Sequence, residues 1–320
     1  MPVNADKPDR WKVDIARSVD FYNDWFMRFA PKAYRDTRVE ATEQVELALD
    51  RTGKLANIEP PVLRQNPSVL PILRMATAPP IARDRLVGLA KVSPNLVKSM
   101  EVDQRIPPRM NRAALDAELR QIGDMILRLA DKDIFPWLED GHEPPDAEVH
   151  RAASIVADRL CGAQADPIIR NAQERRQLAT IREWFERRNY SYVRPGEGLR
   201  FNNMRPGTFA FRINVPVTLE GGTRQVNIPV DTAVMPQESQ SRDLPLLIEA
   251  KSAGDFTNTN KRRKEEAQKI SQLRSTYGDR VRYILFLCGY FDSGYLGYEA
   301  AEGIDWVWEH RVDDLADFGV

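Results

Sequence analysis

Histidine and cysteine are scarce in this 320-residue chain, three of the first and two of the second. Cys161 and Cys288 are far apart in sequence and supply no disulfide framework. With only His142, His150 and His310 beside them, they do not make a zinc pattern either. Any metal is therefore expected on oxygen ligands. Long apolar runs are missing too: no stretch approaches the roughly 20 residues a membrane helix needs. Met1 to Trp11 has neither the apolar core of a signal peptide nor a transit-peptide pattern, so a cytoplasmic protein is expected. No Gly-x-x-x-x-Gly-Lys-Ser/Thr loop occurs, which argues against ATP-driven chemistry.

A net charge of only -1 hides an uneven distribution. Residues 168–282 carry 21 Lys and Arg against 13 Asp and Glu, or +8, whereas residues 283–320 carry 1 against 8, or -7. Residues 1–167 carry 24 against 26, or -2. A basic segment attracts a phosphate backbone, and a solvated surface gives the same composition.

The two halves follow different periods. Residues 1–165 read as a mainly helical domain: Leu115, Leu119, Ile122, Ile126 and Leu129 form one helix face. The prolines from Pro60-Pro61 to Pro107-Pro108 force short elements with tight connections. Leu89 to Lys98 has the cadence of helix, turn through Val92-Ser93, and helix from Pro94. It reads as a DNA-reading helix-turn-helix or as an ordinary helical hairpin. Arg64, Arg74, Arg83, Arg85 and Arg109 are the candidate guanine contacts. Residues 166–320 read as α/β. A helix over Ile168–Arg188 precedes Phe209, Phe211, Ile213, Val215 and Val217 in alternation. Gly221-Gly222 supplies a turn, and Val226, Ile228 and Val230 alternate again, so 209–231 reads as a hairpin ending at Asp231. A strand over Leu244–Lys251, a helix over Lys261–Tyr277 and a strand over Val281–Cys288 follow.

Asp231, a gap, and then Glu249-Ala250-Lys251 on an apolar strand form the pattern with chemical content. Period 2 puts Glu249 and Lys251 on one face, and the hairpin brings Asp231 near. Phosphodiester hydrolysis needs carboxylate oxygens to hold a hard divalent ion and a cation to orient the attacking water. Glu249-Ala-Lys251 is the only acidic-x-Lys in the chain. The alternative, an ion pair at a strand end, is common and contributes little. The pattern resembles that of the PD-(D/E)xK nucleases, which implies a core of a mixed sheet flanked by helices. It predicts Asp231, Glu249 and the Ala250 carbonyl as Mg2+ ligands and Lys251 as the water-positioning cation. Glu174 shares a stripe with Leu178, Ile181 and Phe185, so it is either a further acidic catalytic group or the partner of an inward arginine. Lys261, Arg262, Arg263 and Lys264 open a helix whose dipole disfavours cations, which suits either phosphate contact or solvation.

Asn171-Ala-Gln-Glu174, Val230-Asp231, and Ile248-Glu-Ala-Lys-Ser-Ala-Gly-Asp255 with its continuation to Glu266 resemble the XamI-like Type II restriction endonuclease family. Thr77 to Ala90 and Asn95 to Glu101 resemble it as well, so most of the chain is covered. The resemblance implies Mg2+-dependent cleavage of double-stranded DNA at a short palindrome, with GTCGAC as one such site, inside a restriction system with a cognate DNA methyltransferase. A palindrome implies a homodimer, which the aromatic, acidic tail with Trp306, Trp308 and Asp313 to Asp317 is placed to assist. The sequence departs from the superfamily's Pro-Asp, reading Val230-Asp231 with the proline at Pro229. A repair nuclease without strict site preference, and a non-catalytic DNA-binding protein on the same fold, are the competing readings.

Overall fold

The computed structural model describes residues 2–320 apart from 197–198, 219–224, 241–242 and 258; the side chains of 259–262 also fall outside the description. The chain divides into two compact units, Ala30–Ile169 on one hand and Met1–Phe29 with Arg170–Val320 on the other. Two long helices, α1 (Pro8–Arg51) and α8 (Asp146–Arg187), contribute to both. The amino-terminal residues thus belong with the sheet.

The helical unit is built as its prolines dictate. α2 (Pro60–Gln65), α3 (Leu70–Met75) and α5 (Pro94–Val102) each carry proline in the first turn, where its missing N–H costs nothing. α4 (Arg83–Ala90) ends on Lys91 in the left-handed region. α6 (Arg112–Leu129) starts at Asn111, whose side chain accepts from the N–H of Ala113 and Ala114, and α7 (Trp137–Asp140) is a single turn. Leu115, Leu119, Ile122 and Ile126 are buried as their spacing predicts, in one core with Leu63, Leu73, Leu86 and Leu96. The helix, turn and helix over α4 and α5 form where expected, and α5 buries Leu96, Val97 and Met100 while Asn95 and Lys98 face outward. Arg74 is not an available base reader: its guanidinium is bidentate on Glu101 and its side chain is only 13% exposed. Arg64 is tied to Asp116 at 2.7 Å.

The helix expected to begin at Ile168 begins instead at Asp146 and runs through Pro167, as α1 runs through Pro31. An interior proline costs about 3 kcal/mol. Burial of one large apolar side chain returns about 1.5–3 kcal/mol, and α8 buries Leu178, Ile181, Trp184 and Phe185 among others, so the helix continues.

The second unit holds a six-stranded mixed sheet in the order β1-β2-β3-β4-β5-β6. The strands are β1 (Ser191–Tyr192), β2 (Thr208–Thr218), β3 (Gln225–Met235), β4 (Leu246–Ala253), β5 (Arg282–Gly289) and β6 (Asp305–Trp308). β2-β3 and β3-β4 pair antiparallel; β1-β2, β4-β5 and β5-β6 pair parallel. The apolar runs of β4 and β5 are buried on both faces, as parallel strands usually are. α9 (Thr259–Tyr277) and α10 (Ser293–Ala301) cover one face through Ile270, Leu273 and Leu296; α8 covers the other through Leu178, Ile181 and Phe185. The turn at Gly221-Gly222 lies outside the described residues. β6 was not expected, and it corrects the reading of the tail: Trp306 and Trp308 are wholly buried in the sheet. Asp313 and Asp314 bond Trp184, Arg188, Arg311 and Asn4 of the same unit. The tail completes its own core.

The alternation along β2 does not keep one face. Phe209 and Phe211 pack on the α8 side, whereas Ile213, Val215 and Val217 pack on the α9 side. β3 switches in step, with Ile228 and Val230 on the α9 side, Val234 on the α8 side, and Ala233 and Met235 on the α9 side. The register is unbroken across the switch, Phe211 opposite Thr232 and Ile213 opposite Val230. The change is absorbed at Arg212, whose φ is +53° and which, like Asp231 on β3, falls in the gap between the Phe211–Thr232 and Ile213–Val230 pairs. A left-handed arginine costs about 1–2 kcal/mol, and burying large apolar side chains on both faces offsets it.

Candidate active site

Asp231 sits where β3 peels away from β4. The two strands pair only from Thr232 to Val234, opposite Ile248 to Leu246. One residue further, the Asp231 carboxylate takes over from the backbone: its Oδ2 accepts from the Ala250 N–H at 2.9 Å. Side-chain capping of this kind satisfies a donor that the ladder no longer serves. Glu249 and Lys251 lie on the α9 face of β4, as period 2 requires, and Lys251 Nζ donates to Glu249 Oε1 at 3.0 Å. Asp231, Glu249, Ala250 and Lys251 line one open cleft of about 310 Å³, with Glu174 and Gln177 of α8 along its wall.

The charges in this cleft are tightly coupled. Lys251 also meets Glu266 of α9 at 2.9 Å, and Lys269 meets Glu249 Oε1 at 2.5 Å. Glu266 in turn accepts from the Tyr283 hydroxyl. Glu249 Oε2 is buried without a hydrogen-bond partner among the described residues. Burial, followed by the neighbouring negative charge of Glu249, pushes the Asp231 carboxyl up to about 6, against the pull of the Ala250 N–H and Lys251. Burial works against the Lys251 ammonium, but Glu249 and Glu266 outweigh it and hold the group above the usual lysine range. Lys251 is therefore a proton-bearing cation at any physiological pH. Two of its three N–H groups face carboxylates, which leaves one for the cleft.

Glu174 is at the exposed end of its stripe, not inward among apolar neighbours. Its Oε1 accepts from the Arg212 guanidinium at 2.7 Å, and the two side chains are 38% and 67% exposed. In the basic run, the side chains of Lys261 and Arg262 lie outside the described residues. Arg263 stacks over the Tyr298 ring at 3.6 Å, and Lys264 is exposed. Sequence reasoning missed Gln177, Glu266 and Lys269. Buried Gln177 donates to the backbone carbonyls of Lys251 and Phe286 and so fixes β4 and β5 against α8. Its signal was available, since 177 falls on the same stripe as 174, 178 and 181. Glu266 and Lys269 share the inward face of α9 with Ile270 and Leu273, a pattern that marks buried charge.

The family profile described as XamI restriction endonuclease matches residues 53–308. The Type II restriction enzyme SalI of Streptomyces albus G is 55% identical over 313 residues, 98% of either chain. Among solved structures, protein VC1899 from Vibrio cholerae covers 90% of this chain and 55% of its own at 13% identity, with a TM-score of 0.28, too low to inform the fold. Family profile and relative agree along nearly the whole length, in both compact units, and the chain belongs to the XamI restriction endonuclease family.

Proposed function

We propose that the chain is a Type II restriction endonuclease that hydrolyses double-stranded DNA at a short palindrome through a PD-(D/E)xK site formed by Asp231, Glu249 and Lys251. Family membership makes it an enzyme of restriction, a nuclease. The reading of the site rests on one observation above all: Asp231 of β3 and the Glu249–Lys251 pair of β4, separate in sequence, line a single cleft at the fork between the two strands.

The donor set suits Mg2+, an ion that takes one or two carboxylates and keeps its other positions for water and phosphate oxygens. Among the described residues, no three His, Cys, Asp or Glu side chains form a ready cage. Asp231 and Glu249 with the Ala250 carbonyl are the proposed ligands. Glu249 Oε2 is buried with no hydrogen-bond partner among the described residues, and the Asp231 carboxyl is raised by burial first and by the charge of Glu249 second, so a cation held by both would offset the cost of their charge. When bound, the ion supplies neutralisation of the scissile phosphate and acidification of a water. Lys251, pinned by Glu249 and Glu266, holds the attacking water in line with its remaining N–H and is too basic to serve as the proton acceptor. Cleavage leaves a 5′-phosphate and a 3′-hydroxyl. Glu174 stands close enough to influence Asp231 and is a secondary acidic group of the site. Lys264 and its neighbours in the basic run are proposed phosphate contacts. Action on a palindrome calls for a homodimer, and a restriction system pairs it with a DNA methyltransferase.

Incubation with unmethylated phage DNA in Mg2+ or EDTA, beside Asp231→Asn, tests the proposal. Discrete bands that need both Mg2+ and Asp231 are the expected result, and their ends give the recognition site. A magnesium-dependent smear indicates a nuclease without site preference, and binding with no cleavage a non-catalytic protein.

A further inference from the structure

Arg212 is the one residue within a long strand of this sheet, among those described, that holds a left-handed backbone without being glycine. Glycine would take φ +53° at no steric cost, so the side chain at this position needs a use that the turn of the chain does not supply. Core packing is not that use, because the side chain is 67% exposed. Its hydrogen-bond partner, Glu174, is 38% exposed, and an exposed ion pair contributes little. The location is telling. Arg212 and Asp231 fall at the same step of the β2–β3 ladder, between the Phe211–Thr232 and Ile213–Val230 pairs, and Glu174 lines the cleft with Asp231. A guanidinium that is solvent-facing, loosely held and next to a hydrolytic cleft has the chemistry to take a phosphate in bidentate fashion.

We infer that Arg212 is a DNA-phosphate contact of this enzyme, parked on Glu174 until the backbone of the cut strand takes its place. This rests on the reading that the cleft cuts DNA. The exchange replaces a single charge-assisted bond to Glu174 with a contact to phosphate, so the guanidinium is preorganised beside the scissile phosphate and Glu174 acts as its competitor. A purely structural role for the pair predicts that loss of either partner has the same effect. The exchange predicts opposite effects.

The test is the affinity of the full chain for a short labelled duplex carrying its cleavage site. Fluorescence anisotropy reads it with Ca2+ in place of Mg2+, over about 50–200 mM salt. Arg212→Gly keeps the backbone conformation and removes the guanidinium. It is expected to weaken binding about tenfold at low salt and to reduce the slope of log affinity against log salt by about 0.9. Arg212→Lys should restore most of that slope. Glu174→Gln releases the guanidinium and should tighten binding severalfold. An unchanged slope in Arg212→Gly, or a Glu174→Gln variant that binds as weakly as Arg212→Gly, overturns the inference while leaving the nuclease reading intact. An unaltered protein that leaves DNA uncut in Mg2+ overturns both.

Discussion

Lys251→Met retains most of the aliphatic stem and removes the ammonium that Glu249 and Glu266 share. Their side chains are 7% and 0% exposed, so neither can turn to water. Removing one member of a buried ion pair costs about 3–5 kcal/mol. Glu249 keeps Lys269 and Glu266 keeps the Tyr283 hydroxyl, which puts the expectation at the lower end, about 3 kcal/mol. The pH dependence follows from the sign of the lysine shift. A folded-state pKa above the unfolded value of about 10.4 gives a contribution that is complete below 10.4 and lost only above it. The lysine's own titration should therefore add no pH dependence to the stability gap between the two proteins from about pH 6 to pH 9; any slope near the low end belongs to Asp231, which Lys251 pulls down. Urea unfolding of both across that range measures the gap. Cleavage should fall by roughly 10² or more at a temperature where the variant is folded, as when one preorganised donor is lost. Adding Glu266→Gln to Lys251→Met removes the stranded charge and should recover part of the stability without any activity. A gap below about 1 kcal/mol, the range of exposed pairs, would refute the coupled buried network.

Three further outcomes follow from the same physics. Glu299, wholly buried beside Tyr295, is pushed up to about 8 by burial and then by the charge of Glu266. The folded state therefore holds a proton that the unfolded state loses near pH 4.3, and stability drops by up to about 1.4 kcal/mol per pH unit from there towards 8; thermal melts of Glu299→Gln should show a flatter profile and a higher midpoint at pH 8. Asp231→Asn keeps an acceptor for the Ala250 N–H while removing a carboxylate whose pKa is raised by about two units. It should melt above the wild type at pH 8 without divalent ions, by up to about 3 kcal/mol, and should gain no stability from added Mg2+, whereas the wild type is expected to gain some under the proposed function. A lower melting point without metal contradicts this. Gly289 ends β5 at φ +99°, where a Cβ would stand 2.1 Å from the Ala253 carbonyl oxygen, so Gly289→Ala should lose more than about 3 kcal/mol in urea unfolding.

The pieces of the sheet that sequence located best are those with one repeating period. β2, β3, β4, α9 and β5 fall within a few residues of their expected bounds because strict alternation and continuous apolar runs each have one dominant structural cause. β6 was missed because Asp305, Trp306, Val307 and Trp308 are four residues in an acidic tail, and local composition outweighed a burial that only pairing with β5 creates. The helix expected to start at Ile168 starts earlier and runs through Pro167 for a related reason. The proline's local cost is real, but the apolar face on either side is set by tertiary packing that no local rule counts. In the site, Glu249 and Lys251 were legible from period 2. Glu266 and Lys269 became legible only once α9 was seen to pack on that face of β4.

The switch of faces at Arg212 and Asp231 shows why the most regular pattern was the most misleading. Phe209 to Val217 alternates without a break, and a strand of constant parity would bury all five side chains on one face. A positive φ at position 212 shifts the parity by one, so the same five residues serve two cores. At that step Asp231 is released from the β4 ladder and caps the Ala250 N–H from the cleft. Arg212→Gly leaves this geometry available, whereas Arg212→Pro cannot adopt the positive φ and should disrupt both cores and the position of Asp231 together. The strained residue and the carboxylate that lines the cleft are consequences of one distortion, which is why the break in the pattern, and not the pattern, marks the candidate site.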